Sequence, residues 1–159
     1  MKLFVVVLIL LFCVVNSFVM KPSKLLRSSN RNALKEVAVV GEIKNGDRKL
    51  VETENGTVIV ANVGGSLYAV NAKCPHLGLP MKKGKIEIEN GTPTITCNFH
   101  NSKFSIEDGK CTAWCTGVLG MPNSGFLGGM MGAVGGEKNT PATTYKVSIT
   151  EDNKVMIDM

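Results

Sequence analysis

The chain has 159 residues, with 18 Lys and Arg against 13 Asp and Glu, a formal net charge of +5, two histidines and five cysteines. That length, less an N-terminal leader, holds one domain of roughly 120 residues around a single small core. Lys2 and five basic residues of segment 18–36 supply six of the positive charges and Glu36 one of the negative ones, so residues 37–159 carry 12 of each; a neutral domain with no basic face gives no reason to expect nucleic acid as a partner.

In chain order, Met1 and Lys2 precede 13 apolar residues from Leu3 to Val15. A membrane-spanning helix needs about 20 such residues and a signal-peptide core about 7 to 15, so residues 1–17 read as a signal peptide cleaved after Ser17, with Cys13 lost in it. Residues 18–36 follow with five Lys or Arg, three Ser and no acid before Glu36. This is transit-peptide composition. A signal peptide joined to such a segment, with Phe18 at the junction, resembles the bipartite plastid presequences of diatoms and related algae. That resemblance implies delivery through the secretory route to the stroma or the thylakoid surface of a plastid. The alternative is a basic linker in a secreted or endomembrane protein.

From residue 37 the periodicity is that of strands. "EVAVVGEI", "RKLVET", "TVIVANV", "SLYAVN", "TPTITC" and "TTYKVSI" are short and rich in Val, Ile, Thr or Tyr. Turn pairs separate them: Asn45-Gly46, Asn55-Gly56, Gly64-Gly65, Asn90-Gly91, Asp108-Gly109 and Asp152-Asn153. No stretch sustains a helical period. The pattern predicts an all-β sandwich or small barrel of about nine or ten strands over 37–159, with Cys/His pairs in the loops. Residues 116–140 break the pattern with eight glycines and three methionines.

Both histidines, His76 and His100, stand just downstream of a cysteine, in Cys74-x-His76 and Cys97-x-x-His100. A thiolate and an imidazole from each of two loops is the ligand count for a four-coordinate zinc or for a two-iron cluster. Zinc pairs usually have two or more residues between ligands, so the single residue between Cys74 and His76 fits the cluster better.

Cys74-Pro75-His76-Leu77-Gly78, 18 intervening residues, and Cys97-Asn98-Phe99-His100 with Phe104 and Asp108-Gly109 resemble the Rieske [2Fe-2S] domain of the ferredoxin type. The resemblance runs from about Val37 to Met159. It implies an antiparallel β sandwich with a small cluster-binding subdomain of loops. It also implies one [2Fe-2S] cluster held by Cys74, His76, Cys97 and His100, with the histidines projecting toward solvent as an electron exit. Two thiolates and two neutral imidazoles leave the oxidised cluster neutral where four thiolates would leave it doubly negative, so an added electron costs less. Such centres span about −150 to +300 mV, against about −400 mV for all-cysteine plant-type ferredoxins.

Departures from the family narrow the choice. Rieske subunits of cytochrome complexes carry a disulfide between the two loops, with cysteines where this chain has Leu79 and Phe99. Their "HGSxY" becomes "HNSKF" at 100–104, which keeps the hydroxyl of Ser102 as a candidate hydrogen-bond donor beside the cluster and loses the phenol at Phe104. Cys111 and Cys115 read as two thiols beside Trp114, with a redox-responsive disulfide as the alternative. The 116–140 stretch falls where the family has a third cluster-covering loop, commonly proline-bearing, which makes Pro122 a candidate for that role. These features imply a one-electron ferredoxin serving a protein donor and acceptor, such as an oxygenase or a reductase. The other class is an accessory protein that docks on a thylakoid membrane complex through 116–140, like the Rieske-like thylakoid protein of plants that supports photosystem II. A zinc-bound interaction module ranks behind both, and the complete ligand set favours the carrier.

Overall fold

The structure, a computed structural model, describes residues 34–118, 121–122, 130, 133–134 and 136–159. The expected signal and transit segments up to residue 33 lie outside the described residues, as do the side chain of Pro122 and residues 119–120, 123–129, 131–132 and 135 of the 116–140 stretch.

Twelve strands make up the regular structure of the described residues, Met130 being the one helical position among them, so the all-β expectation holds. Six strands form one antiparallel sheet: β1 (Leu34–Val39), β2 (Arg48–Thr53), β3 (Gly56–Val63), β4 (Ser66–Asn71), β11 (Thr144–Ile149) and β12 (Lys154–Asp158), in the order β1-β12-β11-β4-β3-β2. Four more form a second sheet, β5 (Lys85–Glu89), β6 (Thr92–Thr96), β7 (Lys103–Ser105) and β8 (Cys111–Ala113), in sequence order. A third pairing joins β9 (Gly117–Val118) to β10 (Met121–Pro122).

The count exceeds the nine or ten expected because β7 to β10 are two or three residues long, too short for a period of two to show. β5 was legible in its alternation of Ile86 and Ile88 with charged residues, and no sequence reading assigned it. β1 starts at Leu34, three residues before the expected domain start at Val37, and pairs Leu34, Lys35 and Glu36 with Asp158, Ile157 and Met156. A register shift between Glu36 and Ala38 then lets two adjacent residues, Val37 and Ala38, both turn inward.

The turn chemistry behaves as its residues dictate. Asn90 (φ 49°) and Gly91 (φ 83°) both sit in the left-handed region, the requirement of a two-residue type I′ hairpin between β5 and β6.

β3 explains how the sheets share a core. Val58, Ile59, Val60 and Ala61 are all buried, so this strand faces apolar material on both sides. Ile59 and Ala61 join Val70, Ala72, Met81, Ile95, Phe104, Ile106 and Ala142 in a cluster shared with the second sheet, and Cys74 and Cys97 belong to it. Val58 and Val60 point the other way, toward Val37, Ala38, Ile43, Ala69, Val155 and Ile157. That second cluster draws on β1 and β12 at one end of the sheet order and β3 at the other, so the sheet curls over itself. Arg48 of β2 ties the sheets together, its Nη1 donating to the carbonyls of Lys82 at 3.2 Å and Gly84 at 2.6 Å.

Candidate metal centre

The two Cys/His segments form the same loop twice. In the first, the Cys74 amide donates to Leu79 O at 2.9 Å and the Gly78 amide to Cys74 O at 2.8 Å, with Gly78 at φ 70°. In the second, the Cys97 amide donates to Ser102 O at 2.8 Å and the Asn101 amide to Cys97 O at 3.0 Å, with Asn101 at φ 53°. A left-handed residue four positions after each cysteine closes the loop, and Gly and Asn are the residue types that tolerate it.

Closing the loops this way turns backbone amides onto sulfur. His76 and Leu77 donate to the Cys74 sulfur, and Phe99 and His100 to that of Cys97. The offset is two and three residues in both loops, while the histidine comes at the second position in one and the third in the other. Unequal ligand spacing is thus carried by one backbone design.

The four expected ligands come together and are all buried: Cys74, Cys97, His76 and His100 are 2%, 1%, 2% and 6% exposed. The Cys74 thiol hydrogen-bonds to the Cys97 sulfur, which pushes Cys97 down to about 6. The amides of Phe99 and His100 and the nearby His76 act in the same direction. Cys74, donating that proton while buried, is pushed up. The imidazoles of His76 and His100 meet edge to face at 5.0 Å and 81°. Desolvation and the neighbouring His76 lower the basicity of His100, which keeps its ring neutral and able to bind a metal.

Among the described residues no three His, Cys, Asp or Glu side chains gather around one ion position. The donors sort into a thiol pair and an imidazole pair, which suits two irons better than one zinc. These four donors, two thiols already facing amide hydrogens and two imidazoles, fit a [2Fe-2S] group.

Ser102 is fully buried, and its Oγ accepts the Cys115 amide at 3.0 Å. With an acceptor lone pair so used, the hydroxyl hydrogen stays available to donate. Cys111 and Cys115 are free thiols, Cys115 buried and Cys111 half-buried, both pushed up by desolvation. Phe104 is fully buried in the shared core.

The expectation that both histidines project toward solvent is corrected here. Trp114 packs against His76 at 5.2 Å and 68°, and the Val134 carbonyl lies 2.8 Å from its Nε2. Sequence reasoning placed a third loop near the site and missed the Val134 contact, which runs through a backbone carbonyl that no side-chain pattern reports.

An antiparallel β domain whose paired Cys/His loops bring two thiols and two imidazoles together defines an iron–sulfur protein of the Rieske class. Residues 33–118 match the Rieske [2Fe-2S] domain family model, and the chain belongs to that family, whose members bind a [2Fe-2S] cluster. It is 30% identical over 120 residues to a 3-phenylpropionate/cinnamic acid dioxygenase ferredoxin subunit of Shigella boydii, covering 76% of this chain and 88% of that protein. It is 28% identical over 142 residues to the cytochrome b6-f complex iron-sulfur subunit of Chlorobaculum tepidum, covering 89% of this chain and 61% of that subunit's length. The ferredoxin of carbazole 1,9a-dioxygenase from Nocardioides aromaticivorans shares the fold, with a TM-score of 0.57 and 20% identity over 79% of this chain and 97% of that one.

Proposed function

We propose that this protein is a one-electron carrier of the Rieske ferredoxin type that works in a plastid, in the stroma or at the thylakoid surface. The observation that carries the reading is the doubled loop, which delivers a complete set of two thiols and two imidazoles with four amides on sulfur. When bound, the cluster supplies a site for a single electron in the histidine-ligated range of about −150 to +300 mV. The chain's part is to hold the ligands in place, to exclude water by burial, and to aim fixed N–H dipoles at sulfur where negative charge grows.

Redox proteins are its donor and acceptor, a role supported by the likeness over most of its length to a dioxygenase ferredoxin subunit. The exposed Met130 and Val134, in the glycine- and methionine-rich stretch 116–140, offer an apolar surface suited to a thylakoid membrane complex. The basic, serine-rich N-terminal segment after an apolar run supports the plastid address.

The full chain, purified anaerobically, is expected to hold iron and sulfide and to show an EPR signal only after one-electron reduction, with coupling to two imidazole nitrogens. Stoichiometric zinc without iron or sulfide would overturn the carrier reading. For the address, residues 1–33 fused to a fluorescent protein should reach the plastid of a diatom and Phe18→Ala should divert the fusion; retention of both in the endomembrane system would exclude it.

A further inference from the structure

His76 is gripped from outside by a short piece of the glycine-rich stretch. Its Nε2 lies 2.8 Å from the Val134 carbonyl. A carbonyl only accepts, so Nε2 carries the hydrogen, and in the neutral ring the lone pair is on Nδ1. Two residues on, the Gly136 amide donates to the His76 carbonyl at 2.6 Å. Ring and backbone of one ligand residue are thus fixed by the same segment.

The approach is too close for a side chain at residue 136. A Cβ on Gly136 would stand 2.5 Å from Pro75 O and 3.3 Å from His76 O. Trp114 and His100 pack against the ring at 5.2 Å and 5.0 Å. His100 stands differently: its backbone carbonyl accepts the Gly117 amide at 3.2 Å, and among the described residues its ring makes no hydrogen bond.

We infer that the Val134 carbonyl and Gly136 are positioning groups for His76. They fix the tautomer that leaves Nδ1 for iron, and they hold the outer N–H of His76 away from water. The two imidazole ligands are therefore inequivalent, and His100 is the one whose outer nitrogen exchanges with solvent. This rests on the carrier reading, since it concerns the histidines as ligands.

The test uses the full chain with nitrogen-15-labelled histidine, purified anaerobically, reduced by one electron and followed by pulsed EPR after transfer to heavy water. One imidazole N–H should exchange promptly and the other slowly. Gly136→Ala should speed the slow one by about tenfold or more, the scale of one lost buried hydrogen bond, while circular dichroism melting shows the sheets intact. Equal exchange of both in the wild type would overturn the inference, and that result stands alone if the variant loses its cluster. A slow proton that stays slow in Gly136→Ala, with the cluster retained, would overturn it too. Loss of all imidazole coupling in the wild type would instead overturn the carrier reading on which it rests.

Discussion

Replacing Ser102 by Ala perturbs two things at once, and the structure separates them. The Oγ of Ser102 accepts the buried Cys115 amide at 3.0 Å, and the residue itself has no exposed surface. Alanine leaves that amide without a partner in a site water does not reach, at a cost of about 1–3 kcal/mol. The second effect falls on the potential. A hydroxyl hydrogen donated to charged sulfur contributes roughly 1.5 kcal/mol, and for one electron about 1.4 kcal/mol corresponds to 59 mV. Only the difference between oxidation states counts, because the bond exists in both, so the expected fall in potential is a few tens of millivolts, about 30 mV. Removal of a donor that prefers the more negative state must lower the potential. Protein-film voltammetry and urea unfolding of the same two proteins read the two effects independently. A destabilised Ser102→Ala with an unmoved potential would refute the reasoning and confine Ser102 to holding Cys115 in place.

Gly109→Ala should cost roughly 2–5 kcal/mol in urea unfolding, since Gly109 has φ +77° and a Cβ there would overlap the Ala142 carbonyl oxygen. Gly65→Ala, at φ +89° in open space, should cost only about 1 kcal/mol by the same measurement, and equal costs would discount the overlap. Arg48→Met should destabilise by about 1–3 kcal/mol, read from thermal melts, because it strips the Lys82 and Gly84 carbonyls of their shared donor. In the cluster-free protein, ultraviolet absorbance should show a thiolate forming at about pH 6 that disappears in Cys97→Ser. Because folding lowers this thiol, its contribution to stability is complete above the ordinary thiol value of about 8.5 and is lost as the pH falls through 6.

What the sequence made legible is what is local along the chain. Each ligand pair, each turn pair and each strand of six residues or more carries its own signal within a few positions, as "RKLVET" does for β2. Longer reach defeats such reading. Leu34 to Glu36 carry transit-like composition and yet form a strand, because their partners are on β12, and Glu36 pairs with Lys154, 118 positions away. The three residues of β7 are strand only because β6 lies beside them, matching Phe104 to Ile95. The bond from the Cys115 amide to Ser102 and the grip of Val134 and Gly136 on His76 use backbone groups, which every residue type supplies.

A carrier works best when little has to move as its charge changes, and the doubled loop answers that demand. The dipoles that face sulfur are backbone amides of His76, Leu77, Phe99 and His100, whose positions follow from the loop closures at Gly78 and Asn101. They have no rotamer to change. Both cysteines belong to the apolar cluster that joins the sheets, and Arg48 pins the segment between the two loops to β2. Charge arriving at the site therefore meets dipoles already oriented by a core and two closed loops, the condition under which electrostatic stabilisation comes without reorganisation. The grip on His76 extends the same condition to an imidazole, the one kind of ligand here whose ring could otherwise turn.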